Sequence, residues 1–208
     1  MEILVVTGGI GSGKSEVCRI LSDVFSCGVY NADSRVKLLY DVHPTLLSDI
    51  EKLTGESLRD GEGRFVPSRL SARIFTDRSL LKQVEGMVFP ALMEDFEAWS
   101  KAYSEDTFVV FESATILEKQ ELKGFGDKVI LVDAPFELRL ERACRRDGAD
   151  CDAVLARMKG QKLMNALSEG MSDARIDEII LNNGSVEDLE VAVKGVMDRL
   201  GLTDIKNN

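Results

Sequence analysis

A three-layer α/β/α fold around a five-stranded parallel sheet is what this chain of 208 residues predicts, on three observations. Short apolar runs recur at residues 3–7, 28–30, 108–111, 129–132 and 179–181, most of them separated by helical patterns. Several runs are apolar on consecutive residues, as strands covered on both faces should be. A glycine-rich turn closes the first run and opens a helix, a junction typical of open parallel sheets that bind phosphate.

That turn reads Gly8-Gly9-Ile10-Gly11-Ser12-Gly13-Lys14-Ser15, a G-x-x-x-x-G-K-S element followed by the helical pattern of Val17, Ile20 and Leu21. Its glycines allow successive backbone N–H groups to converge on a polyphosphate, and the following helix adds its positive end. Lys14 reaches the β- and γ-phosphates, and the Ser15 hydroxyl ligates Mg²⁺.

Between the second and third strands lies a stretch too long for one crossover, about 34–105, with helices expected at 44–53, 67–76 and 79–103 and a turn at Asp60-Gly61-Glu62-Gly63. It is expected to be an acceptor-binding insertion within a single domain spanning 1–208. A second excursion, 137–176, is rich in Arg and Lys and is expected to form a lid. His43, the single histidine, precedes Pro44 as a helix entry would.

Ligands collect past the carboxyl ends of parallel strands, so the residues there are the candidates. After the second strand comes Asn31-Ala32-Asp33; Asp33 is either a proton acceptor or water-mediated Mg²⁺ holder, or the cap of the next helix. Glu112, past the third strand, either organises Mg²⁺ or caps a turn. Arg139, Arg142 and Arg146 recur at helical spacing, with Glu137 and Glu141 interleaved. They form either a cationic face that closes over transferring phosphate, the reading preferred for Arg142 and Arg146, or a solvated ion-paired face. Arg157 and Gln161 share a face of the same lid. The fifth strand ends in Asn182-Asn183-Gly184, either the edge on which a purine lies or a plain turn.

Composition narrows the function. A net charge of −10 excludes a broad nucleic-acid surface, so phosphate contacts must be local. No stretch approaches the length of a membrane span, and the amino terminus has no basic leader, so a cytoplasmic protein without a membrane partner is expected. Four scattered cysteines, at 18, 27, 144 and 151, are expected to be reduced thiols. A nucleotide-switch GTPase would carry N-K-x-D, which is absent, and Asp60-Gly61-Glu62-Gly63 follows no strand.

Taken together, the phosphate loop, Ala32-Asp33, Arg73-Ile74-Phe75, Val132-Asp133, Arg142, Arg146-Asp147, Arg157 with Gln161, and Asn182-Asn183-Gly184 resemble the dephospho-coenzyme A kinase family over nearly the whole chain. The resemblance implies a P-loop kinase fold and ATP-dependent phosphorylation of the ribose 3′-hydroxyl of dephospho-CoA, the last step of coenzyme A biosynthesis, with ATP and Mg²⁺. It implies Asp33 as the base, assisted by Lys14, Arg142 and Arg146. ATP would be bound by Gly9, Ile10, Gly11, Ser12, Gly13, Lys14, Ser15, Glu16, Asn183 and Gly184. Lys37, Arg69, Arg73, Glu112 and Arg157 are the candidate substrate ligands, and a monomer or weak homo-oligomer is expected. The departures are Asn31 where the family has Asp, Glu16 where it has Thr, Phe89-Pro90 where it has His-Pro, and Ala114-Thr115-Ile116 where it has Pro-Leu-Leu. The alternative is a P-loop kinase for another small acceptor, such as a nucleoside monophosphate or shikimate.

Overall fold

Leu4, Val5 and Val6 are wholly buried, which three consecutive strand residues achieve only in a strand covered on both faces. In the computed structural model, which describes residues 1–119, 124–148 and 150–203, this run is β1 (Glu2–Thr7), the central strand of the sheet. The others are β2 (Val29–Asn31), β3 (Phe108–Glu112), β4 (Lys128–Asp133) and β5 (Glu178–Leu181). Their order is β2-β3-β1-β4-β5 and every pairing is parallel. The register sets Glu112 beside both Val6 and Asn31, so three strand ends meet at one point of the carboxyl edge.

The described residues divide into two units, Met1–Asn31 with Tyr103–Asn208, and Ala32–Ala102. The first holds the sheet with α1 (Lys14–Phe25), α6 (Phe136–Asp147), α7 (Cys151–Gly160), α8 (Lys162–Ser168) and α9 (Val186–Leu200). Its core joins Leu4, Val6, Val110, Ile130, Val132 and Ile180 of the sheet to Val17 and Leu21 of α1 and Val193 and Met197 of α9. Burying these side chains is the main term holding the layers together, at about 1.5–3 kcal/mol for each large one. Ser185 and Asp188 cap α9 reciprocally and so fix where the chain turns after β5.

The second unit is helical: α2 (Ala32–Val42), α3 (Leu46–Thr54), α4 (Pro67–Ile74) and α5 (Arg78–Ser100). The long α5 runs against the other three. Asp77 starts it by accepting from the N–H groups of Ser79 and Leu80, both at 2.9 Å. His43 is indeed a helix entry, its Nδ1 accepting from the Leu46 N–H at 3.1 Å. The helix expected from residue 44 therefore begins at Leu46, and the one expected to reach 103 ends at Ser100 with a 3₁₀ turn at Lys101–Tyr103.

The expectation of four reduced thiols is corrected. Cys144 and Cys151 form a disulfide, whereas Cys18 and Cys27 are free and buried. The pairing depends on a reversal: Gly148 ends α6 in the left-handed conformation (φ 55°), and α7 starts at Cys151, which brings the two Cα atoms to 5.4 Å. Among the described residues no helix is long and apolar enough to cross a membrane.

Candidate active site

The turn between β1 and α1 has room for glycine alone where it matters. Gly11 and Gly13 adopt φ of 75° and 95°. A β-carbon on the first would lie 2.1 Å from the Arg139 carbonyl oxygen, and one on the second 2.0 Å from Asn182 Nδ2. The loop is thus pressed between α6 and the end of β5. Gly13 is the N-cap of α1, so the first-turn amides of that helix, which have no intrahelical acceptor, open toward the loop. The Lys14 ammonium lies over the same loop, donating to the Gly8 and Gly9 carbonyls at 2.9 and 3.1 Å. This cradle of amides and one ammonium fits a polyphosphate.

Beside it, the Ser15 hydroxyl donates to Glu112 Oε1 at 2.8 Å, and Asn31 Nδ2 donates to Glu112 Oε2 at 2.6 Å. Glu112 is only 5% exposed, so these donors offset the cost of burying its carboxylate. A hydroxyl backed by a buried carboxylate at a phosphate loop is a donor set that would suit Mg²⁺. Glu112 therefore stands with the phosphate machinery, next to the hydroxyl expected to hold metal. Its field also helps burial, the larger cause, to push the Cys18 thiol well up. Glu16, an acid one residue past the loop, turns instead to Arg19 at 2.6 Å, and that hydrogen bond holds its carboxyl below the usual range.

The three arginines of α6 do not share one solvated face. Arg139 is 1% exposed and lies against the loop, its Nη1 beside Gly9 and its carbonyl beside Gly11. Arg142 reaches the end of β5, donating through Nη1 to the Asn182 carbonyl at 3.0 Å and through Nη2 to Asn182 Oδ1 at 3.4 Å. Asn182 in turn donates through Nδ2 to the Ser12 carbonyl at 2.9 Å. Arg146 is exposed and, with Arg157, flanks Asp147 at 2.7 and 2.6 Å. The two hydrogen bonds, Arg146 first, hold the Asp147 carboxyl down at about 2. Gln161 joins α7 to the loop, its Oε1 accepting from the Ile10 N–H at 2.8 Å.

At the ends of β4 and β5 opens a cavity of about 490 Å³, lined among others by Pro135, Phe136, Arg139, Leu181 and Asn183. Its mix of apolar walls and amide groups suits a planar base. Gly184, beside it, leaves space for the Asp188 carboxylate that caps α9.

In the second unit, Asp33 and Lys37 lie one turn apart on α2, both exposed. Arg69 and Arg73 are likewise one turn apart on α4. Arg69 donates to the Ser57 carbonyl at 3.2 Å and to the Arg59 carbonyl, and Arg73 pairs with Glu56 at 3.3 Å.

Two residues escaped a role in the sequence reading. Asn182 was visible in the Asn-Asn-Gly turn, but its bond to the loop depends on β5 ending two strands away from β1. Arg139 carried a usable signal: it shares a stripe with Phe136, Leu140 and Ala143 at helical spacing, the buried side of α6.

A parallel sheet of this order, a glycine loop after its central strand and an arginine-bearing helix pressed on that loop define a P-loop kinase. The profile of the family described as dephospho-CoA kinase matches residues 2–188, and the chain belongs to that family. It is 39% identical over 173 residues to a dephospho-CoA kinase of Porphyromonas gingivalis, covering 83% of this chain and 84% of the relative. To the dephospho-CoA kinase of Aquifex aeolicus it is 30% identical over 200 residues, covering 96% and 98%. The crystal structure of TT1252 from Thermus thermophilus superposes with a TM-score of 0.79 at 29% identity, covering 96% of this chain and 97% of that one. A shikimate kinase of Acinetobacter baumannii, at 16% identity and a TM-score of 0.53 over 98% and 96% of the two chains, shares the fold. The chain is accordingly a kinase that phosphorylates dephospho-CoA with ATP in coenzyme A biosynthesis.

Proposed function

We propose that the phosphoryl group enters at the ribose 3′-hydroxyl of dephospho-CoA and that Asp33 accepts the hydroxyl proton as the oxygen attacks the γ-phosphorus. The bond from that phosphorus to the β–γ bridging oxygen breaks, and ADP leaves. The observation that supports the phosphate-handling half of this reading is the pairing of a loop that only glycine can form with the Ser15–Glu112 bond at its rim, and the base role of Asp33 rests on its place just past β2.

On this reading the amides of Gly9 to Glu16 and the Lys14 ammonium hold the polyphosphate, and Ser15 holds Mg²⁺, with Glu112 as its buried partner. Mg²⁺, when bound, neutralises charge on the β- and γ-oxygens. Arg142 and Arg146 of the lid serve the charge that spreads over the transferring group, and Arg157 keeps Arg146 company at Asp147. The base lies in the cavity beside Asn183 and Gly184. Lys37, Arg69 and Arg73 of the helical insertion take the acceptor's phosphates, with Arg69 and Arg73 leaving their present carbonyl and carboxylate partners to do so. The protein works in the cytoplasm as a monomer or weak homo-oligomer, with no nucleic-acid or membrane partner, in keeping with a net charge of −10.

The test is ADP release with Mg-ATP and dephospho-CoA, set against AMP, shikimate and water as acceptors. Turnover is expected with dephospho-CoA alone. Asp33→Asn should lower kcat by about 10² to 10⁴ while ATP affinity stays close to that of the wild type. Normal turnover by Asp33→Asn would remove Asp33 from the role of base.

A further inference from the structure

Among the described residues Arg139 is the largest fully buried side chain, at 1% exposure. Buried charges are normally matched by a close opposite charge and a full set of hydrogen bonds, because desolvation is otherwise costly. Here the match is incomplete. The nearest carboxylate oxygen, Asp133 Oδ1, is 3.8 Å from Nε, and Nε has no hydrogen-bond partner. Asp133 is itself shared, since its Oδ2 accepts from the Ser168 hydroxyl at 2.9 Å. The Phe136 ring, 5.6 Å from Cζ, supplies a face but no charge.

The guanidinium is directed at the phosphate loop. A β-carbon on Gly9 would come within 2.1 Å of Nη1, so the cation lies against the loop backbone, at the wall of the cavity past β4 and β5. The carbonyl of the same residue abuts Gly11. One residue thus presses on the loop at two points and brings an under-matched positive charge beside it. A polyphosphate in the loop would provide the missing negative charge close by, in a setting of low local dielectric.

We propose that Arg139 is a positioning residue for nucleotide binding, a buried cation that shapes the loop and is fully matched in charge only when phosphate occupies it, Asp133 serving as its partial counterion in the meantime. The proposal rests on the reading that the loop binds the phosphates of ATP. It assigns Asp133 and phosphate to competition for one guanidinium, so removing either side chain has opposite consequences. Arg139→Met loses the cation and should bind more weakly. Asp133→Asn loses the competitor and should bind more tightly.

The experiment is calorimetric titration of the purified full chain and its variants with Mg-ATP and, separately, with inorganic tripolyphosphate, alongside thermal melts without ligand. Arg139→Met is expected to lose about tenfold in affinity for both ligands, the scale of one partly screened charge several ångströms away. Arg139→Lys, whose ammonium a buried site neutralises more readily than a guanidinium, should fall between Arg139→Met and the wild type. Asp133→Asn should gain about threefold, and this variant with Arg139→Lys decides the matter if Arg139→Met does not fold. A merely structural arginine would show weaker binding in Asp133→Asn as well as Arg139→Met, and that result overturns the proposal. So does a loss seen with ATP but not with tripolyphosphate, which would assign Arg139 to the base. If the wild type binds neither ligand, the phosphate reading of the loop falls and this inference with it; if it binds both and Arg139→Met is unaltered, this inference alone falls.

Discussion

Asn182→Ala is the perturbation that tests how the sheet edge holds the phosphate loop. Asn182 is 7% exposed, and its Nδ2 is the donor to the Ser12 carbonyl at 2.9 Å. Truncation removes that donor and leaves a carbonyl of the tightly packed loop short of a partner, at a cost of about 1–3 kcal/mol. It also deletes the Oδ1 that Arg142 approaches, while the bond from Arg142 to the Asn182 backbone carbonyl survives. Taking about 2 kcal/mol, the melting temperature should fall by about 4–8 °C, as expected for a chain of this size. The same energy, if it opposes only the binding-competent loop, weakens ATP affinity by up to about 30-fold. Thermal melts and ATP titration measure the two effects, with Asn183→Ala as the control for the melts alone because Asn183 is exposed and makes no such bond to the loop. An Asn182→Ala protein that melts within about 1 °C of the wild type and binds ATP within about twofold would refute the reasoning.

Two further expectations concern ionisation. Asp147 is held at about 2 by Arg146 and Arg157, below its unfolded value, so its contribution to stability is present above the usual carboxylate range and is lost as pH falls toward about 2. The melting-temperature difference between the wild type and Asp147→Asn should therefore be flat from about pH 8 to about pH 5 and vanish between about pH 4 and about pH 2; a difference that grows on acidification would contradict it. Burial pushes the Cys27 thiol up to about 12 and the Cys18 thiol well above its ordinary value. In the native reduced protein a thiol-specific reagent at about pH 8 should label the exposed Cys151 quickly and reach Cys18 and Cys27 only on unfolding. Mass mapping that found Cys18 or Cys27 labelled in the folded protein would count against this.

How much was legible in the sequence follows from how local each cause is. The five strands were readable to within a residue or two because continuous apolar runs such as Leu4-Val5-Val6 have one stable environment, the interior of a covered parallel sheet. The phosphate loop was readable because eight consecutive residues make it. The helical insertion was readable as helix, although its entries shifted where a side chain intervened, as His43 does at α3. The Cys144–Cys151 bridge was not readable, since seven residues of separation become proximity only once Gly148 reverses the chain. The division of labour among the α6 arginines was legible only in part: the stripe of Phe136, Leu140 and Ala143 marked Arg139 as the buried one, while only packing turned Arg142 to β5 and left Arg146 outside.

By itself, the order of amino acids determined an α/β chain with a phosphate-gripping turn after its first strand, because hydrophobic period, glycine spacing and the Lys-Ser pair act over a few residues. Which strand ends surround that turn was decided only in three dimensions. The order β2-β3-β1-β4-β5 carries Glu112 to Ser15 and Asn182 to Ser12 across 97 and 170 residues of chain, and places a partly matched arginine against the loop. Hydrogen bonds and buried charges act through space at a few ångströms, so their partners are chosen by topology, which no local pattern contains.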